Sequence, residues 1–200
     1  TQAQPDVMLT KIHRQAGESA IIRLATMARQ NQHIPYGEHD AHVWKMPRAA
    51  VTPEQMLCGG QVICGRNATR IHLNIAMKRA AGFDTVYPAG RGEKIICLKN
   101  RNDLGVINGM FLALEDVREE NAHSISAVVR TEDGTVVGGS GVKPARQFLY
   151  KGHFDDHVEL DRERERRDHW IKKGLIEAVW GYAITCHKSQ GSQWENVVVY

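Results

Sequence analysis

Apolar and polar positions alternate along this chain in two rhythms, and the change falls near Gly90. Asp6-Val7-Met8-Leu9-Thr10-Lys11-Ile12 reads as a short strand, followed by Arg14-Gln15. From Glu18 to Gln30, Ile21, Ile22, Leu24, Ala25 and Ala28 recur at helical spacing behind an N-cap residue, Ser19. Residues 31–42 are polar, carry Pro35 and Gly37, and are expected to form a loop; Val43-Trp44-Lys45-Met46 is expected to be a short strand. Thr52-Pro53-Glu54-Gln55 combines a cap, a first-turn proline and an acid, which predicts a short helix. Gln61-Val62-Ile63-Cys64 reads as a buried strand. A helix follows from Asn67 to Ala81, burying Ile71, Ile75 and Met77 or their neighbours, and Gly82 stops it. Strand, loop, helix in succession is the grammar of an α/β sheet.

Beyond Gly90 the helical rhythm disappears. Lys94 to Leu98, Phe111 to Val117, Ser124 to Arg130 and Thr135-Val136-Val137 are strand-like, joined by Asn108-Gly109 and Glu132-Asp133-Gly134. Such turns favour hairpins, so a small antiparallel β-barrel is expected at 91–150. It would be inserted in an α/β unit whose first part is 1–90 and whose second part is 151–200. The run from Asp161 to Lys173, with Arg162, Glu163, Arg164, Glu165, Arg166 and Arg167, reads as a solvated helix face. Near the end, Tyr182 to Thr185 and Val197-Val198-Val199-Tyr200 read as two buried parallel strands.

Composition narrows the picture only a little. Hydrophobic residues make up 42% and charged residues 24%, ordinary for a globular protein. No apolar run is long enough to span a bilayer and no signal-peptide pattern opens the chain, so a cytoplasmic location without a membrane partner is expected. The net charge of +3 permits a polyanionic partner without demanding one. Cys58, Cys64, Cys97 and Cys186 match no zinc spacing, and the last three sit in strand-like runs where a reduced cysteine is a small buried hydrophobe. His33, His39 and His42, and His153 and His157 around Asp155-Asp156, fall in polar sequence, and no metal site is expected from them.

The chemistry concentrates between the last two strands. His187-Lys188-Ser189-Gln190-Gly191-Ser192-Gln193 contains no large apolar side chain. A loop leaving the C-terminal end of a parallel strand is where α/β sheets place ligand-binding groups. Thr185, His187, Ser189 and Gln190 supply donors and acceptors, Lys188 a positive charge, and Gly191 a close backbone approach. That set suits phosphates or a nucleic-acid backbone. Ser189 lacks the G-x-S-x-G elbow of a serine hydrolase, and no G-x-x-x-x-G-K-[ST] phosphate loop occurs in the sequence.

Ala183-Ile184-Thr185-Cys186-His187-Lys188-Ser189-Gln190-Gly191-Ser192 resembles the T-x-H-K-S-Q-G block of superfamily 1 DNA helicases, in particular the RecD-like and Dda-like 5′→3′ enzymes. Leu9-Thr10-Lys11-Ile12-His13-Arg14-Gln15 resembles an upstream block whose arginine reaches the ATP γ-phosphate. Val62 to Asn67 with Arg70 and Asn74 resembles the strand-to-helix element between them. Gly92 to Asn100 with Asn108-Gly109 resembles the opening of the SH3-like barrel inserted in the second motor domain.

The resemblance covers Asp6 to Tyr200 and implies the second RecA-like motor domain with its inserted SH3-like barrel. It further implies a first motor domain in the same longer chain, carrying the phosphate loop and Mg²⁺-binding acids, and a last block beyond Tyr200. Arg14 would be catalytic; Gln15, Gly191 and Gln193 would meet the nucleotide of ATP. Asn67, Thr185, His187, Lys188, Ser189 and Gln190 would hold single-stranded DNA. Partner subunits of a nuclease–helicase complex are also implied. Gln193 departs from the glutamate common in the family, keeping a carbonyl acceptor but no charge. The competing expectation is a non-catalytic nucleic-acid-binding module. A nuclease would need an acidic metal cluster, for which Asp155-Asp156 is the one candidate.

Overall fold

The computed structural model describes residues 19–139, 144–154 and 168–200. The expected strand at Asp6–Ile12, Arg14 and Gln15, Asp155-Asp156, His157 and most of the charge run lie outside the described residues. The described end of that run, from Asp168, forms turns rather than a helix. The chain divides into two compact units, residues 1–51 and 52–200.

In the first unit, α1 (Ala20–Arg29) begins after Ser19, whose side chain makes no capping hydrogen bond. The polar stretch expected to be a loop contains a strand, β1 (Gly37–Asp40), paired antiparallel with β2 (Val43–Lys45). Backbone pairing across a tight turn overrides side-chain polarity here. Lys45 Nζ donates to the Ile34 carbonyl at 2.6 Å and lies over the Tyr36 ring.

The second unit opens with α2 (Pro53–Cys58). The Thr52 hydroxyl accepts from Gln55 N–H while the Gln55 side chain accepts from Thr52 N–H, a complete capping box. Three strands then form a parallel sheet: β3 (Gln61–Cys64) lies between β9 (Ala183–Thr185) and β10 (Val197–Val199). The helix α3 (Asn67–Ala80) follows β3. Its buried face is Leu73, Asn74, Met77 and Lys78, not Ile71 and Ile75. Two polar side chains turn inward because each finds a partner: Asn74 on β9, and Lys78 on the Thr85 carbonyl and the Trp180 ring.

A second, five-stranded antiparallel sheet runs β7 (Arg146–Tyr150), β6 (Ser124–Thr131), β5 (Phe111–Glu119), β4 (Lys94–Cys97) and β8 (Ala178–Trp180). Among the described residues it is not a closed barrel, contrary to expectation. Its two edges meet at a single parallel bridge, Leu149–Ile176, just before β8 begins. The fold is therefore mixed α/β, a small parallel sheet beside an open antiparallel one. Thr135-Val136-Val137 is not a full strand, contributing one bridge from Val136 to Arg130. At the bulge in β5, Asp116 has φ +45°, and Arg146 donates to its carboxylate and carbonyl.

The two sheets share a core. Ile96 on β4, Phe111 on β5 and Ile184 on β9 pack together, with Ile63, Val179 and Trp194 against them. The buried side chain of Gln61 reinforces the join: Nε2 donates to the Val62 and Tyr182 carbonyls, and Oε1 accepts from Lys94 Nζ at 2.9 Å. Cys64 and Cys97 are buried, and burial pushes the Cys97 thiol up to about 12. Cys186 is exposed, because the chain has already left β9 and begun a helical turn.

Candidate nucleic-acid interface

The C-terminal ends of β3 and β9 lie side by side, since the two strands are parallel and in register from Val62–Ala183 to Cys64–Thr185. Whatever follows each strand therefore meets at one edge of the sheet. After β3 come Gly65, Arg66 and Asn67, opening α3. After β9, the expected loop is in part a helical turn, Cys186–Ser189, entered through Thr185 in extended conformation.

A cavity of about 1070 Å³ opens at this edge. Thr185, His187, Lys188, Gln190, Gly191 and Gln193 line it, and so does Asn67 from the β3 side. Six of these seven fall within nine residues of sequence, so the polar stretch does face one shared space. Ser189 does not line it; its hydroxyl donates to the Cys186 carbonyl at 2.8 Å and closes the helical turn. Gly191 has φ +88°, a left-handed conformation that favours glycine, and a Cβ there would meet nothing within 4 Å. The glycine answers to backbone conformation, not to crowding. Trp194 roots the far end of the loop, meeting Phe111 edge-on at 6.2 Å between centroids.

Lys188 is half-buried, and Nζ donates to Asn108 Oδ1 at 2.6 Å. Among the described residues no carboxylate pairs with it, so its positive charge is held in place without being neutralised. Asn108 is itself anchored, its N–H donating to Asn100 Oδ1 at 2.7 Å. The turn at Asn108-Gly109, expected only to join two strands, thus forms the opposite wall of the cavity. No pattern in the sequence separates such a turn from an ordinary hairpin connection, because its partner lies 80 residues away. Ile107, beside it, is 54% exposed and also lines the cavity.

Further round the cavity, His153 and Lys172 contribute. Both are tied to the buried Glu177: His153 Nε2 lies 2.8 Å from its carboxylate and Lys172 Nζ 3.7 Å, with Lys99 at 2.8 Å. Burial alone would raise the Glu177 pKa. The hydrogen bonds from His153 and Lys99, with their charges, outweigh it and hold the carboxyl down at about 2. His153 therefore serves an internal ion cluster. Among the described residues no group of three metal-ligating side chains occurs, and His39 bonds the Pro35 carbonyl instead. Nor is any described helix long and apolar enough to cross a membrane.

No protein-family model matches the chain, and no curated protein does. Among solved structures it is similar to the Pif1 helicase from Bacteroides in complex with ADP-AlF3 and single-stranded DNA. That likeness has 16% identity and a TM-score of 0.46, and covers 96% of this chain and 45% of that one. It is also similar to Pif1 in a structure of two coordinating Pif1 helicases at forked duplex DNA, with 16% identity, TM-score 0.43, and 94% and 42% covered. Unliganded Pif1 from Bacteroides sp follows at 15% identity and TM-score 0.36, with 70% and 45% covered. The chain spans less than half the length of each of these proteins.

Proposed function

We propose that this chain is the second RecA-like motor domain of a superfamily 1 DNA helicase of the RecD-like group, with an inserted antiparallel sheet. In this reading it grips single-stranded DNA and completes an ATP site formed with a first motor domain. The observation that carries the reading is the position of the Thr185-to-Gly191 block. It stands at the C-terminal edge of a parallel sheet, on a cavity, with a lysine whose charge no described carboxylate neutralises.

ATP with Mg²⁺ would supply the driving reaction, in a cleft between two such domains. Closing and reopening that cleft would move two DNA grips relative to one another. Thr185, His187, Lys188 and Gln190, with Asn67 opposite, would hold the sugar–phosphate backbone, while Ser189 keeps the turn in shape. Gly191 and Gln193, both exposed on the same short segment, would lie toward the nucleotide, so one loop would couple the two sites. Arg14 would stabilise the charge that develops on the transferred phosphoryl group, with Gln15 beside it. In a chain carrying both motor domains, Arg14→Ala would lower ATP turnover by a factor of order 10³ while DNA binding persists. Subunits of a nuclease–helicase complex are further partners in this reading, and the cytoplasm its location.

The direct test is binding of the purified 200-residue chain to fluorescent oligothymidylate and to mixed-sequence oligonucleotides across a salt series. Salt-dependent binding with little base preference is expected, since phosphate contacts carry no direct sequence information. Absence of binding at low salt would sink the reading. ATP hydrolysis is expected only when a first motor domain is present.

A further inference from the structure

Arg70 sits one turn into α3, the helix that follows β3, and lines the same cavity as Thr185, His187 and Lys188. It is half-buried. Among the described residues no carboxylate pairs with it, and its one side-chain hydrogen bond is a 3.4 Å contact from Nε to Asn67 Oδ1. The other partly buried arginines among the described residues look different. Arg130 meets Glu115, Arg101 meets Asp103, and Arg146 meets Asp116.

A guanidinium withdrawn from water without a counter-charge is unfavourable, and burial does lower the Arg70 pKa from its ordinary value. An anion arriving in the cavity would relieve that cost. The contact to Asn67 fixes Nε and leaves both terminal nitrogens for a ligand, the fork that matches two phosphate oxygens. Lys188 offers a second un-neutralised cation from the loop after β9. Among the described residues Glu132 is the one carboxylate lining the cavity; it is exposed and forms an ion pair with neither cation.

We propose that Arg70 is a backbone-phosphate ligand, so that the single strand is held at two points, Arg70 beyond β3 and Lys188 beyond β9. The inference rests on the reading of this chain as a strand-gripping domain, and adds to it a residue on a different element. The ligand class is the phosphodiester backbone of a single strand, because a guanidinium fork and an ammonium group, neither paired with a described carboxylate, match phosphate oxygens.

The test uses the 200-residue chain and oligothymidylate, with binding measured against salt for Arg70→Ala, Arg70→Lys, Lys188→Ala and the Arg70→Ala, Lys188→Ala double variant. Each lost phosphate contact should reduce the log–log salt slope by about 0.7, and the double variant by about 1.4. Arg70→Lys should keep the slope while binding more weakly, since it retains charge without the fork. Melting temperatures are recorded throughout, and the charge-retaining variant keeps the test decisive should Arg70→Ala fail to fold. If Lys188→Ala loses slope and a folded Arg70→Ala does not, or if Arg70→Lys loses as much as a neutral residue, Arg70 is no phosphate ligand and the strand-gripping reading stands. If the unaltered chain does not bind the oligonucleotide, that reading falls and this inference with it.

Discussion

The side-chain amide of Asn74 stands in for a neighbouring strand beside Ala183. Its Oδ1 accepts from Ala183 N–H at 3.0 Å, and its Nδ2 donates to the Ala183 carbonyl at 2.9 Å and to the Arg70 carbonyl at 2.9 Å. β9 has β3 on one side only, so Asn74 covers the open edge two residues before Thr185. A helix side chain thereby sets the height at which the polar segment after β9 begins.

Asn74→Ala should accordingly be costly. It leaves a buried backbone N–H and carbonyl without partners, each worth about 1–3 kcal/mol. A loss of about 2–4 kcal/mol in urea unfolding is expected, with weaker oligonucleotide binding in the protein that remains folded. Asn74→Leu, which fills the space, should be no better, because the deficit is in hydrogen bonds and not in volume. A variant as stable as the parent would show that water or a shifted strand satisfies Ala183.

Gly60 fixes the other side of the parallel sheet. It has φ +98°, and a Cβ there would come 2.2 Å from the Asn196 carbonyl oxygen, which accepts from Gln61 N–H at 3.1 Å. Gly60→Ala therefore meets a backbone conformation that costs about 1–3 kcal/mol, and a clash that pushes β10 away from β3. Thermal unfolding should fall well below that of Gly191→Ala, whose added methyl meets open space. Equal melting temperatures for the two variants would refute the argument from crowding.

Glu177 predicts a pH dependence of stability. Its folded pKa, about 2, lies below the ordinary 4.5. A depressed carboxyl contributes stability that is fully present above about 4.5 and is lost as pH falls through 2. The shift corresponds to about 3 kcal/mol at most. The difference in unfolding free energy between the parent and Glu177→Gln should be largest near pH 6 and should shrink between roughly pH 4.5 and 2. A difference independent of pH would assign the role to packing instead of to the hydrogen bonds and charges of His153 and Lys99.

How far the sequence anticipated these features depends on the range over which each is determined. The capping box at Thr52 and the strand at Gln61–Cys64 are local, and four residues suffice to read them. The polar run after β9 is likewise local, and it lies at the C-terminal end of a parallel strand as its sequence predicts. On α3, Met77 is buried as the periodicity predicts, but Ile71 and Ile75 yield to Asn74 and Lys78, which turn inward toward partners at Ala183, Thr85 and Trp180 that hydrophobic periodicity does not register. β8 is not legible in the sequence because three residues, Ala178–Trp180, carry too little pattern to read as a strand; its pairing with β4 is settled by a register as distant in sequence as Ile95 and Trp180. The same holds for Asn108 and Arg70. The family resemblance includes both residues, but their place in the wall of one cavity is settled only when the sheets are packed.

The bond between Lys188 and Asn108 makes the last prediction. Asn108→Ala removes the acceptor but not the charge, so the log–log salt slope for oligothymidylate should stay as in the parent. Affinity should fall by about 3–10-fold, the usual net value of one hydrogen bond that holds a charged group in place. Asn108→Asp should act differently, setting a carboxylate against the ammonium group and neutralising it within the cavity. Its slope should shrink by about 0.7, as if the lysine had been lost. In a Lys188→Ala background the same Asp has no cation to neutralise, so the double variant should lose little more slope than Lys188→Ala alone. Full additivity of the two changes would mean that Asn108 and Lys188 act independently. An unchanged affinity for Asn108→Ala would mean that the lysine needs no support from the antiparallel sheet, and that the 107–109 turn is a bystander at the cavity wall.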